Sequence, residues 1–368
     1  MRAPTPALEK AETANAAREQ LRALAGKGGV VVRGALLAID DPCNDVGAVL
    51  LRRSAAVRVA WSTSAAQYLR LEGARTSGSE EKVLSGNVLV MPTGRDGVHA
   101  AFTADSSEFV RDLLIPLLDH CNPRLFLPSV TSKSLAKVVL SASKQAGVRD
   151  FEVTDLGVRS QTENKRGRRL RSERIWTEEP VETMLATVRE RGQWLQSLSF
   201  HCNTTEGGKS GFCTGHISRR CIFRIQGDFQ WFERNILVPT TGEAVQTMRL
   251  YAHRARDETP DNAPRPIVIE YSEPLFRDRA QHKRLVHCLN RFPKANLSVI
   301  HGNPYFHASI VDFTDGSSYE IWVLSETRII LTPQFRATSS SIGRLCDHIL
   351  SRFEEGEVKD FQQAVYAK

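Results

Sequence analysis

The stretch "HGNPYFHASIVDFTDGSSYEIW", His301 to Trp322, gathers two histidines, two aspartates, a Gly-Ser-Ser turn and a glutamate in one short arc. Imidazole beside carboxylates and hydroxyls is the material of general acid–base and nucleophilic chemistry on a phosphodiester. Along "HASIVDF", alternation with a period of two puts His307, Ser309 and Val311 on one face and Ala308, Ile310 and Asp312 on the other. Asp315-Gly316 is a strong turn signal, so the same residues also read as a hairpin whose Asp and Ser side chains satisfy the turn's own amides.

The order His307, Ser309, Asp312, Gly316-Ser317 and Glu320 resembles a degenerate phospholipase D-like motif, whose family pattern is His, any residue, Lys, then Asp, then Gly-Ser. The resemblance implies His307 as a nucleophile that forms a phosphohistidine, a Gly-Ser region that holds the phosphate, and no metal. By helix and strand order it covers 107–158 and 265–355. The chain departs from the pattern: Ser309 stands in place of the lysine, Asp312 comes early, and the second His-Lys-Asp motif has no counterpart. Without the lysine a pentavalent phosphate loses a main source of charge stabilisation, so loss of activity is the expectation. A metal-independent nuclease would have to complete its site across a homodimer.

A second chemistry is suggested by charge. The chain carries a net +7, and from Arg159 to Arg174 the run "RSQTENKRGRRLRSER" places Arg159, Lys165, Arg166, Arg168, Arg169, Arg171 and Arg174 against Glu163 and Glu173. With no apolar periodicity and a central glycine it reads as a mobile basic loop, dense enough in arginine to neutralise phosphates. Further on, Phe223, Phe229, Trp231 and Phe232 interleave with Arg219, Arg220, Arg224 and Arg234, the composition of a base-stacking platform on a basic sheet. Core packing explains the same aromatics.

In "FHCNTTEGGKSGFCTGHISRRC", Cys213, His216 and Cys221, with Cys202 or His201, offer four N/S ligands for a tetrahedral zinc. Their spacing follows no established zinc pattern, and small buried thiols are the competing reading. The "GGKS" within it lacks the leading glycine and the following helix of a phosphate loop, which excludes nucleotide hydrolysis by that route. No other cofactor is expected.

These residues need elements to hold them. "LEKAETANAAREQLRALAG" reads as an amphipathic helix with a glycine stop. Short β-type runs follow at 30–39, 48–53, 56–62 and 86–92. From Ser107 helix and strand alternate: a helix at "SSEFVRDLLIPLLDHC", a strand at "RLFLPSV", a helix at "TSKSLAKVVLSASKQAG" and a strand at "RDFEVTDLGV". A helix at "EEPVETMLATVRERGQWLQSL", an irregular β region at "CIFRIQGDFQWFERNILV" and a linker at "RARDETPDNAPRP" come next. Alternation then resumes and ends in a serine-started, glycine-stopped helix, "SSSIGRLCDHILSRFEEG".

The expected class is α/β: an N-terminal helix over 1–29, a small β-rich module over 30–106, an α/β layered body from 107–158 and 265–368, and a basic, aromatic insertion over 159–264. No run of about 18 apolar residues is present, the N-terminal stretch has no apolar signal centre, and seven scattered cysteines suit reduced thiols. The expectation is a soluble, cytoplasmic, non-enzymatic subunit of a multi-protein system that binds DNA or RNA. The alternatives are the nuclease above and a scaffold that orders its basic loop on a protein partner.

Overall fold

The computed structural model describes residues 9–41, 43–77, 80–95, 97–164, 167–176, 179–206, 209–252, 265–302, 305–334 and 336–362. The chain divides into two compact units, Met1–Val245 and Gln246–Lys368, and combines helices with antiparallel sheets in a mixed α/β fold.

In the first unit, α1 (Ala14–Ala25) starts at Thr13, whose hydroxyl accepts the Ala16 N–H at 3.1 Å, and ends at Gly26. Next come β1 (Val32–Ile39), α2 (Val46–Arg53), β2 (Val57–Ser62), β3 (Gln67–Ser77), β4 (Glu80–Arg95) and β5 (Val98–Thr103). One helical run follows, as α3 (Ser107–Phe109), a π-helical stretch Val110–Leu114 and α4 (Ile115–His120). Then come β6 (Leu125–Phe126), α5 (Ser132–Ser143), β7 (Val148–Asn164), β8 (Gly167–Trp176), α6 (Val181–Glu190), β9 (Trp194–Glu206), β10 (Lys209–Ser218) and β11 (Ile222–Gly227). A last helical run is α7 (Phe229–Phe232), a π-helical stretch Glu233–Leu237 and α8 (Val238–Tyr251), whose last residues belong to the second unit.

Eleven strands make one sheet, ordered β2-β3-β4-β5-β1-β11-β10-β9-β7-β8 with β6 beside β1. On one face α1, α5, α6 and α7 pack against Leu36, Phe102, Val153, Phe200, Cys213 and Phe223. On the other, α2 and the α3–α4 run pack against Ala35, Leu37, Leu69, Val88 and Ala101. That second layer covers β1 to β6 and reaches only Ile222 of β11. β1 is buried along nearly its whole length because helices cover both of its faces.

The expected division of the chain is corrected by this sheet. β1 pairs with β11, from Val32↔Ile225 to Ala35↔Ile222, so the β-rich module and the supposed insertion are two parts of one sheet. β7, expected in a body with the C-terminal strands, pairs with β8 and β9 instead. The basic run is not a loop: it forms the β7–β8 hairpin, and beyond Arg159 its two strands, among the described residues, pair only with each other. Residues 48–53 are helical because Asp45 accepts the Ala48 N–H at 2.8 Å and starts α2. The helix expected through residue 198 stops at Glu190, ahead of Gly192 at φ 60°, and the rest becomes β9. The irregular β region resolves into β11 followed by helix.

The second unit holds β12 (Ile267–Glu270), a 3₁₀ turn Leu275–Arg277, α9 (Arg279–Leu289), β13 (Ala295–His301), β14 (Phe306–Asp312), β15 (Ser317–Ser325), β16 (Arg328–Pro333), α10 (Ser339–Arg352) and β17 (Glu357–Asp360). Its six strands are ordered β13-β14-β15-β16-β12-β17. Strict alternation of burial on β14, β15 and β16 directs Phe306, Ala308, Ile310, Tyr319, Ile321 and Leu331 to one face. There α9 and α10 cover them with Leu285, Ile342, Leu345 and Phe353. Most of the expected linker, 254–264, lies outside the described residues. Among the described residues no helix is long and apolar enough to cross a membrane.

Candidate functional site

The hairpin of the second unit has the faces that alternation predicted, and those faces separate its candidate catalytic residues. His307 and Ser309 share the outer face with Glu320, which lies opposite Ser309 in the register. The His307 ring stacks on Trp322 with centroids 3.5 Å apart, and its Nε2 is enclosed 3.6 Å from Glu320 Oε2. Asp312 and Ser317 face the helices. Asp312 accepts the Ser341 hydroxyl at 2.8 Å, the Thr314 N–H at 2.9 Å and the Arg344 guanidinium. Ser317 Oγ accepts the Thr338 N–H at 3.1 Å, at the start of α10. The five residues therefore form two groups on opposite sides of a sheet, and Asp312 and Ser317 are occupied in fastening a turn to a helix.

The zinc set is divided in the same way. Cys202 and Cys213 lie directly opposite each other on the core face, Cys221 is buried after the β10 turn, and His216 points to the other face. No group of three metal-binding side chains occurs among the described residues.

The expected basic and aromatic residues scatter. Trp231 is 2% exposed, packed with Phe200 and Phe151, and Phe223, Phe229 and Phe232 are core as well, so this cluster is not a stacking platform. Arg219 is buried and donates to the Val130 carbonyl at 3.0 Å, and Arg220 pairs with Asp119. Arg234 lies on the helical side of the sheet. Lys165 and Arg166 lie outside the described residues, as do the side chains of Arg168, Arg169 and Arg171. Arg159, Arg174 and Arg224 are on β7, β8 and β11.

Arg174 and Arg224 belong to an arrangement that the sequence did not announce. On the face of β7 to β11 where, among the described residues, the second hydrophobic layer reaches no farther than Ile222, register aligns one residue per strand: Trp176, Asp155, Ser199, His216, Arg224 and, on β1, Arg33. Asp155, 2% exposed, accepts both arms of Arg174 at 2.6 and 2.8 Å. The Ser199 hydroxyl donates to Asp155 Oδ2 at 3.2 Å and accepts from Arg224 Nη2 at 3.2 Å. His216 Nδ1 lies 2.9 Å from that hydroxyl; with its hydrogen given to Asp155, the imidazole is the donor. Burial, then the Arg224 charge, hold His216 down at about 4, so the ring is neutral at neutral pH.

Ser, His and Asp in contact invite comparison with a hydrolytic triad, and the geometry answers it. A triad needs His between Asp and Ser, so that the base is oriented by the one and deprotonates the other. Here Ser199 sits in the middle and is 3% exposed, beyond reach of a substrate. The network positions its two ends instead. At one end Arg174 lies 4.8 Å from the ring centre of Trp176, a residue 71% exposed. At the other, Arg224 and Arg33 stand directly opposite on neighbouring strands. Arg33 donates to the carbonyls of Val31 and Asp105, and burial and then the Arg224 charge push its pKa down. Farther along the face His201 and Phe212 stack with centroids 6.1 Å apart. The sequence signals were a lone arginine in the apolar "VVVRGALLAI" and the polar phase of "SLSFHCN" and "CTGHIS", which acquire meaning only once the partner strands are known.

Comparison of the chain with protein-family models and with curated proteins gives no match.

Proposed function

We propose that this chain is a non-enzymatic nucleic-acid-binding subunit of a multi-protein system, and that it contacts phosphates with the arginines of the β7–β8 hairpin and of the open sheet face. The observation that carries the reading is that face: among the described residues no helical layer covers it on β7 to β10, Arg174 and Arg224 flank an internally satisfied network, and half-buried Arg33 of β1 stands beside Arg224 at the margin of the α2–α4 layer. Guanidinium groups directly opposite each other repel, and an anion between them removes the repulsion. The hairpin adds a dense arginine run beside it.

The test uses labelled DNA and RNA with EDTA present, reading retention and cleavage together. Four neutralised phosphates would weaken binding on the order of a hundredfold between 50 and 200 mM salt. Replacing Arg166, Arg168, Arg169 and Arg171 together by Ala should remove most of the affinity. Affinity that ignores both salt and these substitutions would overturn the assignment. Cleavage in EDTA would replace it with an enzymatic one.

A further inference from the structure

The open face also bears on the form of nucleic acid it takes. Tryptophan is seldom left exposed, and an indole standing out of a sheet must be held or it folds back onto the surface. Trp176 is held: the buried Asp155 carboxylate fixes Arg174 in a two-pronged bond, and that guanidinium covers one side of the ring. The residue is 71% exposed, so indole surface remains available to a flat partner. In a duplex the base faces are already stacked on one another, so edges and backbone are all it presents to a protein. A single strand offers free base faces, and a flat sheet is the surface on which exposed aromatics take them. The opposed Arg224 and Arg33 lie in the same row of the register. With strands about 4.8 Å apart, Arg224 is roughly 19 Å from Trp176 and Arg33 roughly 24 Å, a span that suits a strand laid across the sheet.

We infer that the open face of the first sheet is a single-strand site, with Trp176 stacking a base and the Arg33–Arg224 pair holding backbone phosphate. The inference rests on the nucleic-acid reading above and narrows it to one substrate class.

The experiment is fluorescence anisotropy at low salt with a labelled 16-nucleotide single strand, the same strand in duplex form, and heparin as competitor, on the full chain and three variants. The single strand should bind more tightly than the duplex. Trp176→Ala should weaken single-strand binding about tenfold and leave duplex binding nearly unchanged, whereas Trp176→Phe should keep most of the affinity. Arg33→Ala with Arg224→Ala should weaken single-strand binding and reduce its salt slope by about 1.4. Trp176 is on the surface, so Trp176→Ala should melt like the wild type, which separates lost stacking from lost fold. If duplex and single strand compete equally and Trp176→Ala changes nothing while binding stays salt-sensitive, the single-strand inference falls and the nucleic-acid reading stands. That outcome would point to the paired β7–β8 ribbon entering a groove. If neither nucleic acid binds at low salt, both fall.

Discussion

Ser199 contacts Asp155, His216 and Arg224. Buried polar groups in such a chain are stable when every member is satisfied and costly when one is not. His216 is the member that pH can disturb. Burial first, and then Arg224, hold its imidazole at about 4 against an ordinary value of 6.5. Between these values the unfolded chain binds more protons than the folded one, so stability falls as pH drops from about 6.5 to 4, by up to about 3 kcal/mol. Thermal melts at pH 7 and pH 4.5 should show this loss in the wild type and a smaller one in His216→Gln. Equal losses in the two would assign the acid sensitivity elsewhere. The thiols allow a second check. Burial pushes Cys121 up to about 11 and Cys221 and Cys288 to about 12, and six of the seven cysteines are buried. A thiolate-seeking reagent should therefore label Cys43 quickly in the native protein and the other six only on unfolding. Fast labelling of Cys202 or Cys213 would show that β9 and β10 open readily.

At the scale of elements, the turn between β14 and β15 behaves as a fastening for α10. Burial raises the Asp312 carboxyl, but its bond to Arg344, the Arg344 charge and the Thr314 N–H outweigh this and bring it below the usual range. A depressed carboxyl adds stability above its unfolded pKa of about 3.9, and that stability is lost as pH falls through the lower folded value. Asp312→Ala leaves Arg344, a quarter exposed, without its carboxylate and should cost about 2 to 4 kcal/mol in urea unfolding. The double variant with Arg344→Ala should cost less than the two single changes added together, because the pair is coupled. Additive costs would mean that Asp312 acts through the turn amides alone. This element was legible in the sequence because its signals are local: a Ser/Thr start, apolar residues one helical turn apart, and an Asp-Gly turn. The α2 segment was not, since six apolar and basic residues suit either a strand or a short helix, and only the Asp45 cap decides. The pairing of β1 with β11 is set by which apolar faces must meet, and neither strand names its partner. The open-face row was unreadable for that reason. Arg174 and Arg224 were visible as charges, but Asp155 and Ser199 become a network only through cross-strand register.

At the scale of the whole molecule, the chain is two sheets with separate cores. The first draws on residues up to Ala244 and the second on residues from Tyr251, so α8 supplies both. Each unit falls within the ordinary size of a self-sufficient domain, and each buries its apolar face under its own helices. Fragments 1–251 and 238–368, each keeping α8 whole, should therefore fold by themselves, which dispersed amide spectra and cooperative melts would show. The open face and the β7–β8 hairpin lie entirely in the first unit, so the 1–251 fragment should keep the salt-sensitive nucleic-acid binding of the full chain within a few fold. The 238–368 fragment should fold and bind little. If both fold and binding needs both, the second sheet contributes directly to the interface. If 238–368 binds alone, phosphate contact belongs to the second sheet, and the arginine row of the first needs another role.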